Sequence, residues 1–179
     1  MAKSLHGKKI AILVANGFEQ VEMVKPRDAL AAAGAETHLI SPEKDTVNGW
    51  DTKEWGKQFT IDIPLDVAQA DTYDALLIPG GVMSPDHLRM NEKAIDFIKG
   101  IYDAQKPIAA ICHGPWLLIN TEIVRGKKVT SWPSLKMDLI NAGGEWVDQE
   151  TVVSGRILTS RNPQDIPAFN DAMIELFSQ

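Results

Sequence analysis

The sequence predicts an open α/β sandwich built around a mostly parallel sheet. Three short apolar runs, "KIAILVA" (9–15), "DALLIPGG" (74–81) and "PIAAIC" (107–112), lack period-two alternation and are bounded by turn residues. Such runs read as strands covered on both faces. Helix-period segments lie between them, so strand and helix alternate from the amino end to about residue 140. That alternation implies parallel strands joined by right-handed crossovers.

The elements follow in chain order. After the first strand, "ANGFEQVE" leads into a helix over 21–33 that ends at Gly34, with Pro26 expected to kink it or to mark its true first turn. Residues 43–64 are polar, interrupted by Gly49 and Gly56, and carry Trp50 and Trp55. They read as a solvated loop or a small hairpin, the tryptophans offering an alternative role at a subunit contact. In 91–105, Ala94, Ile95, Ile98, Ile101 and Tyr102 recur three or four apart behind Asn91, an apt N-cap. Residues 145–160 have turn chemistry at Ser154 and Gly155 between two strand-like halves, which predicts a hairpin, and 167–177 closes the chain as a helix.

With 179 residues and 44% apolar content, the chain is expected to form one domain over 1–179. Eighteen Lys and Arg against 24 Asp and Glu give a formal charge of −6, which argues against a nucleic-acid or anionic-membrane surface. One cysteine cannot close an internal disulfide, so a reducing cytoplasm is the expected setting. The stretch Ile10 to Ala15 is too short for a signal peptide and reads as a buried strand. No apolar run approaches the roughly 20 residues of a membrane span. His6, His38, His87 and His113 show no metal-ligand spacing, and phosphate-loop and dinucleotide fingerprints are missing, so no cofactor is expected.

That single cysteine, Cys112, stands between "PIAAI", the end of a central strand, and "HGPWLLIN", which should open a helix. The carboxyl edge of an open α/β sheet is where ligands bind. Helix amides and the positive end of the helix dipole are expected there to lower the thiol pKa. The geometry is that of a nucleophile elbow with cysteine in place of serine. His113 follows directly; adjacent strand residues point to opposite faces, so it is a base only if the turn breaks that rule. Glu19, in the loop after the first strand, is the expected acid beside the thiol, its pKa raised by burial so that it donates to the thiolate. The Gly80 and Gly81 amides, after the second strand, are the expected oxyanion donors.

Together "ICHGPWLLI", "ALLIPGG", "MNEKAIDFIK", "MDLINAGGEWVD" and "GFEQVE" resemble the PfpI-like branch of the ThiJ/PfpI superfamily through nearly the whole chain. The resemblance implies a flavodoxin-like three-layer sandwich, a nucleophilic Cys112, the acidic neighbour Glu19 and oxyanion amides in the glycine loop. It further implies a homo-oligomer, dimer or larger, in which His113 pairs with a carboxylate lent by another subunit. The matching position is Asp86, one methylene shorter than the glutamate of close relatives. His87 beside it reads as a surface residue.

Members of that branch have been described as peptidases, glutathione-independent glyoxalases, deglycases and stress-response or redox-sensing chaperones. Site chemistry ranks these. A thiolate attacks an aldehyde carbon readily and a neighbouring carboxyl can shuttle the proton, which favours methylglyoxal or glycated amino acids, proteins or nucleotides as substrates. Peptide hydrolysis needs in addition a cleft for an extended chain, which nothing in the sequence announces. The non-enzyme reading takes Cys112 as an oxidisable sensor.

Overall fold

A computed structural model describes residues 3–179. β1 (Lys9–Leu13) runs through the short β2 (Phe18–Glu19) into α1 (Gln20–Ala32), and β3 (Glu36–Ser41) returns beside β1. A hairpin of β4 (Thr46–Asp51) and β5 (Glu54–Thr60) is followed by β6 (Ile63–Pro64). Then come β7 (Ala75–Ile78), α2 (Met83–Leu88), α3 (Glu92–Asp103), β8 (Ile108–Ile111), α4 (Trp116–Asn120), β9 (Lys128–Val129) and α5 (Lys136–Asn141). β10 (Glu145–Trp146), β11 (Thr151–Ser154), β12 (Ile157–Ser160) and α6 (Ile166–Phe177) complete the chain.

Among the described residues seven strands form the central sheet, in the order β11-β12-β8-β7-β1-β3-β6. All neighbours are parallel except β11, which pairs antiparallel with β12 through the hairpin expected over 145–160. Alternate residues of each strand feed opposite cores, as the pleat demands. Ala11, Leu13, Leu76, Ile78 and Ala110 pack with Phe97, Ile98 and Ile101 of α3, Leu117 and Leu118 of α4 and Leu139 of α5. Ile10, Ile12, Leu77, Ala109 and Ile111 pack on the other face with Met23 and Leu30 of α1 and Phe169 and Met173 of α6. Three layers result, and coverage of both faces is why these strands are apolar throughout.

The helices have local causes. Asn91 caps α3, its side chain accepting from the Ala94 N–H at 3.2 Å. In α1 the structure carries the helix from Gln20 straight through Pro26 rather than starting at it. Glu22, Met23, Pro26 and Leu30 form its buried stripe, and that packing offsets the hydrogen bond to the Glu22 carbonyl that proline cannot donate.

The 43–64 segment resolves as a hairpin. β4 pairs with β5 and also, in parallel, with β2, which sets Glu19 beside Trp50. Trp50 and Trp55 meet edge to face, with ring centroids 5.5 Å apart. Because β1, β7 and β8 are parallel neighbours, the segments after them, 14–19, 79–82 and 112–115, converge at one edge of the sheet.

Candidate active site

Cys112 leaves β8 with φ of +62°, in the left-handed region that a side chain enters only under strain, at a cost of order 1–3 kcal/mol. Its surroundings hold it there. The Cys112 N–H donates to the Ser160 carbonyl at 3.0 Å, its own carbonyl accepts from the Trp132 N–H at 2.9 Å, and the Gly114 N–H donates to the Ile111 carbonyl at 2.8 Å. Gly114 is obligatory, since a Cβ there would lie 2.6 Å from the Ile78 carbonyl oxygen. Only 7% of Cys112 is exposed, and that part opens into a cleft of about 590 Å³. The elbow exists as expected.

Its electrostatics depart from expectation. α4 begins at Trp116, four residues past the sulfur, and spans a single short turn and a half, so no long helix aims its dipole at Cys112. Burial instead pushes the thiol above its ordinary value, and an ionised Glu22 would push it further. The Gly81 and His113 amides, which donate to the sulfur, pull it down.

The acid against the thiol is Glu22, and the expectation of Glu19 in that place is corrected. Helix α1 starts at Gln20, so Glu19 is its N-cap residue while Glu22, a turn further on, points into the protein with no exposed surface. Glu22 Oε2 accepts from the Gly80 N–H at 2.9 Å. Among the described residues its Oε1 has no partner of ordinary hydrogen-bond geometry, although the carboxyl and the Cys112 side chain lie within interacting reach. Burial raises the Glu22 pKa to about 8, against the Gly80 amide, which lowers it; Glu19 adds a further push upward. At neutral pH Glu22 therefore keeps its proton.

The glycine loop is corrected in part. The Gly80 N–H is committed to Glu22 and its carbonyl to the Glu19 N–H at 3.0 Å, which leaves Gly81 as the amide facing the sulfur. Gly80 is a close-approach glycine: a Cβ there would sit 2.5 Å from Glu22 Oε2 and 2.6 Å from the Cys112 Cβ. Gly81, at φ +81°, makes the turn.

His113 does break the strand rule. Its Nδ1 lies 3.3 Å from the Cys112 Sγ, and its Nε2 lies 3.5 Å from the Ser134 hydroxyl. Trp132 stacks on the ring at 6.1 Å and Trp116 meets it edge-on at 5.3 Å. Burial lowers the His113 pKa, favouring the neutral ring. Asp86 sits exposed on α2 and does not line the cleft of its own chain. Glu19 lines the cleft mouth with Trp50 and Thr52, its Oε1 accepting from the Thr52 N–H at 3.3 Å. Trp132, Pro163 and Gln164 close the opposite rim, the last two on a turn anchored by the double hydrogen bond from Arg161 to Asp165. Among the described residues no group of three or more His, Cys, Asp or Glu is placed to hold a metal ion.

Sequence reasoning missed Glu22, Trp132 and Ser134. Glu22 had a signal: an acid in register with Pro26 and Leu30 on the apolar stripe of a helix. Ser134 and Trp132 had none, because they reach the site from a loop after β9.

A three-layer α/β fold, a cysteine on a strained elbow and a buried protonated acid beside it define the class: an open α/β sandwich with a nucleophile-elbow cysteine. The chain belongs to the DJ-1/PfpI family, which it matches over residues 8–176. It is 40% identical over 168 residues to a protein of Pyrococcus horikoshii named "Deglycase PH1704", covering 94% of this chain and 98% of that one. It is 42% identical over 169 residues to a Bacillus subtilis protein named "Putative cysteine protease YraA", covering 94% and 98%. Among solved structures, Drosophila melanogaster DJ-1beta superposes with a TM-score of 0.86 at 26% identity, covering 96% of this chain and 91% of that one.

Proposed function

We propose that this protein is a cysteine-dependent enzyme of the deglycase or glutathione-independent glyoxalase type, acting on methylglyoxal or on the adducts such aldehydes form with amino groups. The observation that carries the reading is the placement of a fully buried, proton-bearing Glu22 beside the Cys112 elbow. The name of the Pyrococcus relative supports it.

The reacting form is reached when the Cys112 thiol releases its proton to solvent through the cleft, leaving the negative charge on sulfur, facing the Gly81 and His113 amides, and the proton on Glu22. Attack forms a C–S bond at the aldehyde carbon, and the carbonyl oxygen takes up the proton, giving a hemithioacetal. Glu22, now a carboxylate, removes the hydrogen on that carbon as a proton and returns it to the neighbouring carbonyl carbon. The hydroxyl proton of the first carbon passes to the neighbouring oxygen, and the product is a thioester. Neutral His113 takes a proton from water as the water attacks the thioester; the C–S bond breaks, the new carboxylic acid returns its proton to Glu22, and lactate leaves with the thiolate restored and the His113 proton passing to solvent. In this scheme Asp86 of a second copy orients His113, so the working unit is a homo-oligomer. The reaction needs no disulfide and suits a reducing cytoplasm.

Lactate release from methylglyoxal tests this. Cys112→Ala and Glu22→Ala should each abolish it; a wild-type rate in either variant removes the assignment. Peptide hydrolysis is the competing reading, favoured by the name of the Bacillus relative. It would show as cleavage of a fluorogenic peptide that survives purification and disappears in Cys112→Ala.

A further inference from the structure

Among the described residues no lysine or arginine lines the cleft that opens over Cys112. Its charged wall is Glu19, with Asp51 close enough to act on it electrostatically. Lys53, in the adjoining turn, is exposed and does not line the cleft, and Arg161 behind the far rim is neutralised by Asp148 and Asp165. Buried Glu22 and His113 are both neutral at neutral pH by the burial described above. The remaining walls are mainly aromatic and apolar, Trp50, Trp132, Val21, Val82 and Met83, with Thr52 and Gln164 as neutral polar members. Aromatic faces beside a carboxylate favour cations and tolerate neutral molecules, and outside the amides at the sulfur an anion meets only neutral donors and no cationic side chain among the described residues.

We propose that Glu19 makes the cleft charge-selective. It admits neutral dicarbonyls and adducts carried on amino or guanidino groups, and it turns away substrates with a carboxylate or phosphate near the reacting carbon, nucleotide adducts included. Glu19 is thus a specificity residue at the mouth, distinct from Glu22 at the sulfur. The proposal deepens the deglycase reading and rests on Cys112 as the reacting group.

Cys112 is the only thiol in the chain, so its labelling rate reports the local field without turnover. The probes are the trimethylammonioethyl and sulfonatoethyl methanethiosulfonates, cationic and anionic; each transfers its thioalkyl group to the sulfur as a disulfide while methanesulfinate leaves. The cation-to-anion rate ratio at Cys112, followed by intact mass, is expected to exceed that of mercaptoethanol by roughly tenfold, the scale of one half-buried charge acting at close range. Added salt should shrink it. Glu19→Gln should bring the ratio down to the mercaptoethanol value and Glu19→Lys should invert it. A wild-type ratio equal to that of mercaptoethanol, or one unchanged in both variants, overturns the proposal. Loss of the lactate assignment leaves this ratio untouched, and a flat ratio with intact lactate release removes only the role of Glu19, so the two failures are distinguishable.

Discussion

Replacing Glu22 with Gln keeps the acceptor for the Gly80 N–H and removes the titrating carboxyl, so its effect on stability isolates one buried acid. In the unfolded chain Glu22 ionises near its ordinary value of 4.5; in the folded protein burial lifts it to about 8. A carboxyl whose folded pKa lies above its unfolded one favours the folded state while both are protonated. As pH rises past the unfolded value, the unfolded chain releases its proton first and the folded state loses ground. Between pH 5 and pH 8 that loss amounts to about 3–4 kcal/mol, from roughly 1.4 kcal/mol per pKa unit. Burial of His113 acts in the opposite direction in this window, but it is present in both proteins and cancels in the difference. Urea unfolding across pH 5 to 8 should therefore show the Glu22→Gln protein gaining on wild type by several kcal/mol as pH rises. Parallel curves would refute the buried, protonated carboxyl.

Gly80→Ala forces a methyl to within 2.6 Å of both Glu22 Oε2 and the Cys112 Cβ, so it should destabilise by about 1–3 kcal/mol and suppress lactate release, measured on protein shown folded by circular dichroism. If Asp86 is lent across an interface, Asp86→Ala should lower turnover while sedimentation shows an oligomer; a protein that is monomeric at working concentration and fully active would exclude that role.

What the sequence made legible was whatever depended on periodicity and punctuation. β1, β7 and β8 stood out because burial on both faces demands unbroken apolar runs, and α3 because its stripe begins behind a capping asparagine. The elbow at Cys112 was legible from the turn residues Gly114 and Pro115. The register of α1 was not. Whether Glu19 or Glu22 faces the thiol depends on where the helix starts, and β2 pairing with β4 fixes that start at Gln20 through a contact 31 residues away in sequence, Glu19 to Trp50. The division of labour between the Gly80 and Gly81 amides follows from the same register, because Glu22 claims the first. The helix-dipole expectation failed because α4 starts late and is short, which local sequence does not announce.

The proposed chemistry turns on a proton held by Glu22 beside Cys112 at neutral pH. Infrared difference spectroscopy of wild type against Glu22→Gln reads it directly. A protonated-carboxyl band present at pH 7 and fading as pH is raised through about 8 is the predicted result. A spectrum at pH 7 showing only the ionised carboxylate would contradict it.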